Sequence, residues 1–492
     1  MALASLYRVY LWGLAVAVAD NSSGKIIPLW GLNQQGKSAT VTAQRHLNLY
    51  AEIQPEGEKA RVTFYGTPGL SLFSDDLGDT PVRGWIALPD LFYFVHRGTF
   101  YQCNNAGTIT SRGTLSTTSG KVSMAYDGAV IMIVDGTAGY TYTIASTTFA
   151  TIADAQFPNG SNTCTWLDGQ FVCDAGDDSD LFYISADGSS WTALDFAAAE
   201  SNPDGIIAVF QDNGELVLGG SGTFEYWSNT GNVDFPFAAV KGATAEVGLA
   251  ARWSLCKFNS GLAFLGTPAA AGKFQVYFVQ GYVPRPISTP EVDYIINGYS
   301  SVSDAVAYSY LLGGHPMLQI NFPSANASWL YDAQTGLWSP LEYGLDGDRH
   351  RGELQLNFIN RTLISDYENG NIYELDPDVY TDNGETIARE IISRHVFHSN
   401  DRVVVDELYV DMETGVGLAT GQGSDPTIMM QMSKDNGHTW SAILTTTLGA
   451  IGKYGTRVEW RRLGVARDWT FKIRLTDPVK PVFTFAAMRA RV

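Results

Sequence analysis

Phe92-Tyr93-Phe94-Val95, a short turn, then Phe100-Tyr101: these two aromatic-rich runs are too short for helices and close enough to pair as antiparallel neighbours. The arrangement recurs six more times. Ile131-Met132-Ile133-Val134 leads to Tyr140-Thr141-Tyr142, Phe171-Val172-Cys173 to Leu181-Phe182-Tyr183-Ile184, and Leu216-Val217-Leu218 to Phe224-Glu225-Tyr226-Trp227. Leu262-Ala263-Phe264 then precedes Phe274-Gln275-Val276-Tyr277, Leu318-Gln319-Ile320 precedes Trp329-Leu330-Tyr331, and Leu363-Ile364 precedes Ile372-Tyr373. Successive first runs start 39, 40, 45, 46, 56 and 45 residues apart. A period of about 40 to 50 residues filled with short strands is that of a propeller blade, whose single sheet cannot bury both of its own faces. The expectation is an all-β protein, a β-propeller of six or seven blades with an additional smaller β domain.

Two turn motifs accompany the repeat. Ser433, Asp435, Gly437 and Trp440 fit the Asp box found at propeller hairpins, and Ser185-Ala186-Asp187-Gly188 with Trp191 is a degraded copy. In such a turn the Asp accepts backbone N–H bonds, the Gly permits positive φ, and the Trp packs between sheets. Both motifs are read as structural.

The 492 residues allow several domains. Apolar residues make up 45% and charged residues only 17%, with 50 Gly, which excludes a disordered chain or a coiled coil. The net charge of −19 argues against a surface that grips nucleic acid along its length. The charge is also uneven. Residues 122–240 hold 16 Asp and Glu and no Lys or Arg, whereas residues 449–492 carry ten Lys and Arg against three acidic residues. The plain reading of the acidic stretch is solubility. The sharper ones are docking between acidic and basic faces of neighbouring copies, or an acidic wall along which a polyanion slides without binding.

The expected boundaries are an N-terminal arm over 1–24, an N-terminal β segment or platform over 25–85, the propeller over 86–378, and a basic C-terminal β domain over 379–492. The last either closes the propeller or forms a docking face. Arg8 and the apolar run Leu11 to Ala19 resemble a signal peptide with an Ala-x-Ala end, but the run is too short for a membrane span, and the segment is read as an arm. Cys103, Cys164, Cys173 and Cys256 have no CxxC pair or zinc spacing and read as reduced, mostly buried residues.

Three constellations raise chemistry. Gly31, Gly36, Lys37 and Ser38 fit a Walker A loop, with Val130 to Asp135 as the Mg²⁺-holding strand. Such a loop needs a strand before it and a helix after it, whereas Pro28 breaks the one and Thr40-Val41-Thr42 opens the other with β-branched residues. An ordinary glycine turn is the preferred reading. Asp174, Asp177, Asp178 and Asp180 could hold Ca²⁺ but lack the Gly and Glu of an EF-hand, so a solvated hairpin loop is expected. His395 and His398 lie three apart in an extended segment, where they would face opposite sides. A sialidase-like site would need three Arg from different blades, yet Arg is absent from residues 113–251. The enzyme alternatives are a propeller glycoside hydrolase acting on host surface polysaccharide through a carboxylate pair and, behind it, a P-loop nucleotide-binding protein.

From the fourth hairpin onward the chain resembles the tail-hub, or packaged-DNA stabilisation, proteins of short-tailed bacteriophages. The resemblance rests on Pro203-Asp204-Gly205-Ile206-Ile207, on Glu225-Tyr226-Trp227 within the stretch Gly220 to Gly231, and on the basic strands around Trp460-Arg461-Arg462 and Phe471-Lys472-Ile473-Arg474. The region around Pro28, Leu29 and Lys37 and the stretch Asn48-Leu49-Tyr50 are similar to the family's opening, and residues 1–24 depart from it. The resemblance implies a virion protein at the tail vertex, without catalytic residue, metal or cofactor. It implies a hexameric ring, the nozzle beneath the portal-bound adaptor, that extends the DNA channel and retains packaged DNA. Its implied partners are further copies of itself, the adaptor, a needle or tip plug, fibres or spikes, and genomic DNA passing without sequence-specific contact. Arg461, Arg462, Lys472 and Arg474 are the candidate docking residues.

Overall fold

The structure, a computed structural model, describes residues 25–26, 30–31 and 34–492 apart from 75–76, 177–178, 186–189, 193–194, 200–203, 233–234 and 269–271. The expected arm over 1–24, Pro203 of the family-like motif and residues 186–189 of the degraded Asp box lie outside the described residues. Two compact units are present among the described residues: Gly66–Ala388, and those up to Tyr65 together with Arg389–Val492.

Among its described residues the first unit contains seven sheets of four or more strands, antiparallel apart from the Asp382–Leu70 pairing in the last, taken in chain order as blades 1 to 7. Blades 1 to 4 span residues 82–114, 123–151, 164–198 and 206–245, and blades 5 and 6 span 247–286 and 306–349. Blade 7 combines residues 352–376 with a strand from earlier in the chain. Each of the seven anchor residues read from the sequence falls in the second strand of its blade, such as Leu91–His96 in blade 1 and Arg361–Asp366 in blade 7. Successive blades touch all the way round, blade 7 against blade 1 included, through their inner strands except between blades 4 and 5, where Glu215–Gly220 and Phe224–Asn229 meet Val247–Leu249.

Apolar side chains from facing sheets fill the seams between blades. Tyr93, Val95 and Phe100 of blade 1 meet Ile131, Ile133 and Tyr142 of blade 2. Phe224 of blade 4 stacks on Phe264 of blade 5 with ring centroids 4.7 Å apart. Each fully buried ring contributes about 1.5–3 kcal/mol, which is why strands too short to be stable alone hold when stacked. The longest repeat interval, between blades 5 and 6, contains the only α-helix among the described residues, Pro290–Ile296. Thr289 caps it, Pro290 sits in its first turn, and Val292 and Ile296 are buried in the seam.

The ring closes with a strand borrowed from the N-terminal side. Blade 7 has three strands between Gly352 and Asp376, and its fourth place is taken by Gly69–Ser74, paired antiparallel to Ile372–Asp376. An unpaired sheet edge is thereby covered. The boundaries expected at 85/86 and 378/379 both shift for this reason. Residues 69–74 and the strand Val82–Ala87 belong to the propeller, and the short strands Thr381–Asp382 and Glu385–Thr386 extend blade 7.

The second unit is a β-sandwich of two sheets. One sheet is ordered Leu49–Ile53, Val62–Gly66, Val482–Arg491, Val403–Met412 and Val458–Ala466, with Lys25–Ile26 also on Val482–Arg491. The other runs Arg45–Leu47, Arg389–Ile392, Asp468–Leu475, Thr427–Ser433 and Leu444–Thr447, with Val396–Phe397 also on Asp468–Leu475. Residues expected as one platform over 25–85 are therefore divided between the two units. Alternation sets the core: Phe471, Ile473 and Leu475 are buried beside Ile428 and Met430. A bulge between Val405 and Glu407 flips the parity of Val403–Met412, so that Val403 and Val405 are buried on one side of it and Leu408 and Val410 on the other.

Candidate functional surfaces

The residues of the family-like motif form a lock inside the propeller. Asp204, at the mouth of blade 4, accepts from the Gly222 amide at 2.6 Å, the Thr223 amide at 2.8 Å and the Thr223 hydroxyl at 2.9 Å. The Gly205 carbonyl accepts from the Ser221 amide at 3.1 Å. Gly220 is required here, because a Cβ would lie 2.5 Å from the Asp204 carboxylate. Glu225 is buried and accepts from Trp227 Nε1 at 3.1 Å. Tyr226 meets Tyr282 of blade 5 edge-on at 4.9 Å, and burial raises its hydroxyl pKa. Trp227 packs against Phe182 of blade 3 at 5.2 Å. One strand thus joins three blades. Removing the shared acceptor by Asp204→Ala is expected to cost about 2 kcal/mol, read as a lower urea midpoint.

The Asp box forms its turn, but in the sandwich rather than at a propeller hairpin. Ser433 Oγ donates to Asp435 Oδ1 at 2.7 Å and accepts from the Gly437 amide at 2.8 Å, while the Thr439 amide and hydroxyl donate to Asp435 at 2.8 and 2.6 Å. Gly437 has φ 84°. The turn chemistry is local to these few residues, so it carries no information about which sheet it serves. Trp440 is half-buried with the Lys472 ammonium 4.2 Å from its ring centre. Of the degraded copy, Trp191 packs edge-on against Phe157 at 5.0 Å in the seam of blades 2 and 3. The Thr439 side chain and amide, followed by Ser433, hold the Asp435 carboxyl down at about 2. Its contribution is complete above the ordinary carboxylate range near 3.8 and is lost as pH falls through about 2. The gap in urea midpoint between wild type and Asp435→Asn should therefore be constant above pH ~5 and shrink towards pH ~2.

The four basic candidates separate. Arg461 and Arg462 lie on Val458–Ala466, an edge strand of the first sandwich sheet, and Lys472 and Arg474 on Asp468–Leu475, a central strand of the second. Arg461 reaches Glu459 at 2.7 Å and Glu407 at 4.0 Å, Arg457 also binds both acids, and Arg489 stands 3.8 Å from Glu407. Arg462 is exposed at φ 59°, a bend that unsuits this edge to further strand pairing. Lys472 is half-buried, and burial lowers its pKa.

The residues with enzymatic readings are engaged in turns and packing. No helix follows Lys37: residues 39–41 form a turn and the strand Arg45–Leu47 comes next. A Cβ at Gly31 would lie 1.7 Å from the Gln44 side chain, so this glycine serves packing. Asp135 caps a blade 2 hairpin, accepting from the Thr137 and Ala138 amides and the hydroxyls of Thr117 and Tyr140. Asp174 accepts from the Asn162 amide and the Thr163 amide and hydroxyl, while Asp177 and Asp178 lie outside the described residues. His395 bonds Asp468 and the Ala39 carbonyl, and His398 bonds Asp401.

The cation-free residues 122–240 cover blades 2, 3 and most of blade 4. Several of their carboxylates, at Asp127, Asp135, Asp154, Asp174 and Asp204, accept backbone amides in turns. Sequence reading missed Arg83. Its guanidinium makes five hydrogen bonds, from 2.5 to 2.9 Å, to the carbonyls of Arg97, Thr117, Ser119 and Gly120 and the Thr117 hydroxyl. No local motif marks a residue whose partners lie 14 to 37 positions away.

Family models account for both units. Residues 26–380 match the model described as Bacteriophage P22 Gp10, beta-propeller, and residues 388–492 match Bacteriophage P22 Gp10, beta-sandwich. The chain belongs to the P22 Gp10 family. Tail hub protein gp10 of Salmonella phage P22 is 24% identical over 434 residues, covering 83% of this chain and 87% of that one. The family role, a structural tail hub protein located in the virion tail, is this chain's role. Among solved structures the chain is similar to the computationally designed Ika8 protein, with TM-score 0.38, 11% identity, and 68% of this chain and 99% of that one covered. It is also similar to YCF48 bound to D1 peptide, with TM-score 0.38, 14% identity, and 63% and 97% covered. These two likenesses are too loose to bear on function.

Proposed function

We propose that this tail hub protein assembles as a hexameric ring beneath the portal-bound adaptor, extends the DNA channel outward and helps retain the packaged genome until host contact. A needle or tip plug closes the ring below, and fibres or spikes surround it. The protein acts without catalysis, metal or cofactor. The observation that carries this reading is the ordered match of two P22 Gp10 models to the propeller and the sandwich. Arg461 and Arg462 on one sandwich sheet, and Lys472 and Arg474 on the other, are the proposed contacts to neighbouring copies or the adaptor. The net charge of −19 suits a structure past which DNA moves without sticking. Sedimentation of the purified chain with portal–adaptor complexes tests the reading, with six copies bound per complex as the expected result. A monomer that ignores the complex, or release of sugar from host polysaccharide, would overturn it.

A further inference from the structure

The hairpin that opens blade 3 carries one cysteine on each strand. Cys164 on Cys164–Leu167 stands directly opposite Cys173 on Gln170–Asp174. The connection is the two-residue turn Asp168-Gly169, with φ 49° and 91°, as a type I′ hairpin needs. The Asp174 amide donates to the Thr163 carbonyl at 3.3 Å, so Thr163 and Asp174 are a hydrogen-bonded pair. Strand alternation makes Cys164 and Cys173 a non-hydrogen-bonded pair, for which Cα atoms stand about 4.5 Å apart and side chains are closest. A disulfide spans Cα separations of about 4.4–6.8 Å. Both side chains face the same core cluster, with Met132, Phe157, Phe171 and Trp191. Both thiols are free, and Cys164 Sγ is turned towards Ser123 Oγ at 3.7 Å, a weak contact that one χ1 rotation gives up.

We propose that Cys164 and Cys173 are a redox modification site, joined as a cross-strand disulfide once the protein leaves the reducing interior of the infected cell. A virion tail meets oxidising surroundings after release, where disulfides persist. Cys164 also lines a cavity of about 250 Å³ bounded by blades 2 to 5, large enough to admit a hydroperoxide. In the first step the Cys164 sulfur attacks one peroxide oxygen, an S–O bond forms, the O–O bond breaks, and the departing oxygen takes the Cys164 proton and leaves as water or alcohol. The Cys173 sulfur then attacks the Cys164 sulfur, the S–S bond forms, and the oxygen leaves as water with the Cys173 proton. Two electrons pass from the two sulfurs to one peroxide. Burial pushes the Cys164 thiol up to about 12 and raises that of Cys173, which keeps the pair slow to react during assembly. Cys103 lies opposite Phe92 and Ile109, and Cys256 opposite Ala263, so neither has this arrangement.

The test is to oxidise the reduced full-length chain with hydrogen peroxide, unfold it, alkylate it with iodoacetamide and measure its intact mass. Two alkylated cysteines with loss of two hydrogens are expected, together with a thermal midpoint several degrees above that of the reduced protein. Cys164→Ser and Cys173→Ser should each show neither change. The Cys103→Ser/Cys256→Ser variant, which leaves the hairpin pair untouched, should still form an intramolecular bond. Four alkylated cysteines in wild type, oxygen additions without a bond, or a bridge between other cysteines would overturn the proposal.

Discussion

Phe92→Ala should lower propeller stability by about 3–5 kcal/mol, the cost of emptying a large aromatic site in a packed core. Phe92 is fully buried on the second strand of blade 1, where the ring closes on blade 7. Its ring meets Phe358 of blade 7 edge-on at 5.1 Å, Trp85 and Phe94 of its own blade at 6.4 and 5.9 Å, and Phe73 of the borrowed strand at 6.2 Å. One side chain thus contacts the first blade, the last blade and the strand that completes the last blade. Domain stabilities are about 5–15 kcal/mol, so the loss should bring the urea midpoint down sharply. Phe196→Ala, on the outer strand of blade 3 with 42% of its surface exposed, should shift it by less than about 1 kcal/mol. Equal effects of the two variants would show that the closing seam does not hold the propeller together.

The second large effect is acid destabilisation through two buried neutral histidines, one in each unit. His350 sits among blade 6 and 7 side chains, where its Nδ1 accepts from Gln319 Nε2 and from the Gly352 amide, each at 3.0 Å. Asn321 and Ser328 complete the network. A proton on Nδ1 would face two donors, and burial, aided by Arg349, pushes the His350 pKa down to about 4. His46 of the sandwich stacks on Phe64 at 4.6 Å, accepts from Gln34 Nε2 at 3.3 Å, and is likewise lowered to about 4, chiefly by burial. Because the folded pKa lies below the unfolded value near 6.5, the unfolded chain takes up the proton first. Stability is therefore complete above pH ~6.5 and falls as pH drops towards ~4, by about 3 kcal/mol for each histidine. Urea midpoints measured across that range should show the slope, and His350→Gln should be less stable at neutral pH but flatter with acid. An unchanged slope in His350→Gln would contradict the assignment.

The propeller was legible because its signal is local and repeated. Phe92, Ile131, Phe171, Leu216, Leu262, Leu318 and Leu363 all mark second strands, and a strand buried on both faces must be an apolar run whichever blade it serves. The ring closure was not legible. Gly69–Ser74 finds its partner at Ile372–Asp376, and nothing in either run specifies a pairing over that separation. The same holds for the sandwich, where Phe64 lies opposite Phe483. Asp435 shows the converse: its turn bonds join residues 433–439 only, so the motif specifies a local turn and not the sheet it serves. Glu225, Tyr226 and Trp227 stood out as a motif, yet only the structure shows a joint between blades 3, 4 and 5. The cysteine pair carries a signal other than CxxC spacing, since Cys164 and Cys173 lie symmetrically about Asp168-Gly169, a hairpin dipeptide.

That this chain is a structural component of the virion tail is tested most directly by immunogold electron microscopy of purified phage particles, with antibody raised against the chain. The account predicts gold confined to the tail vertex. Particles without label, or with gold spread over the capsid, would contradict it.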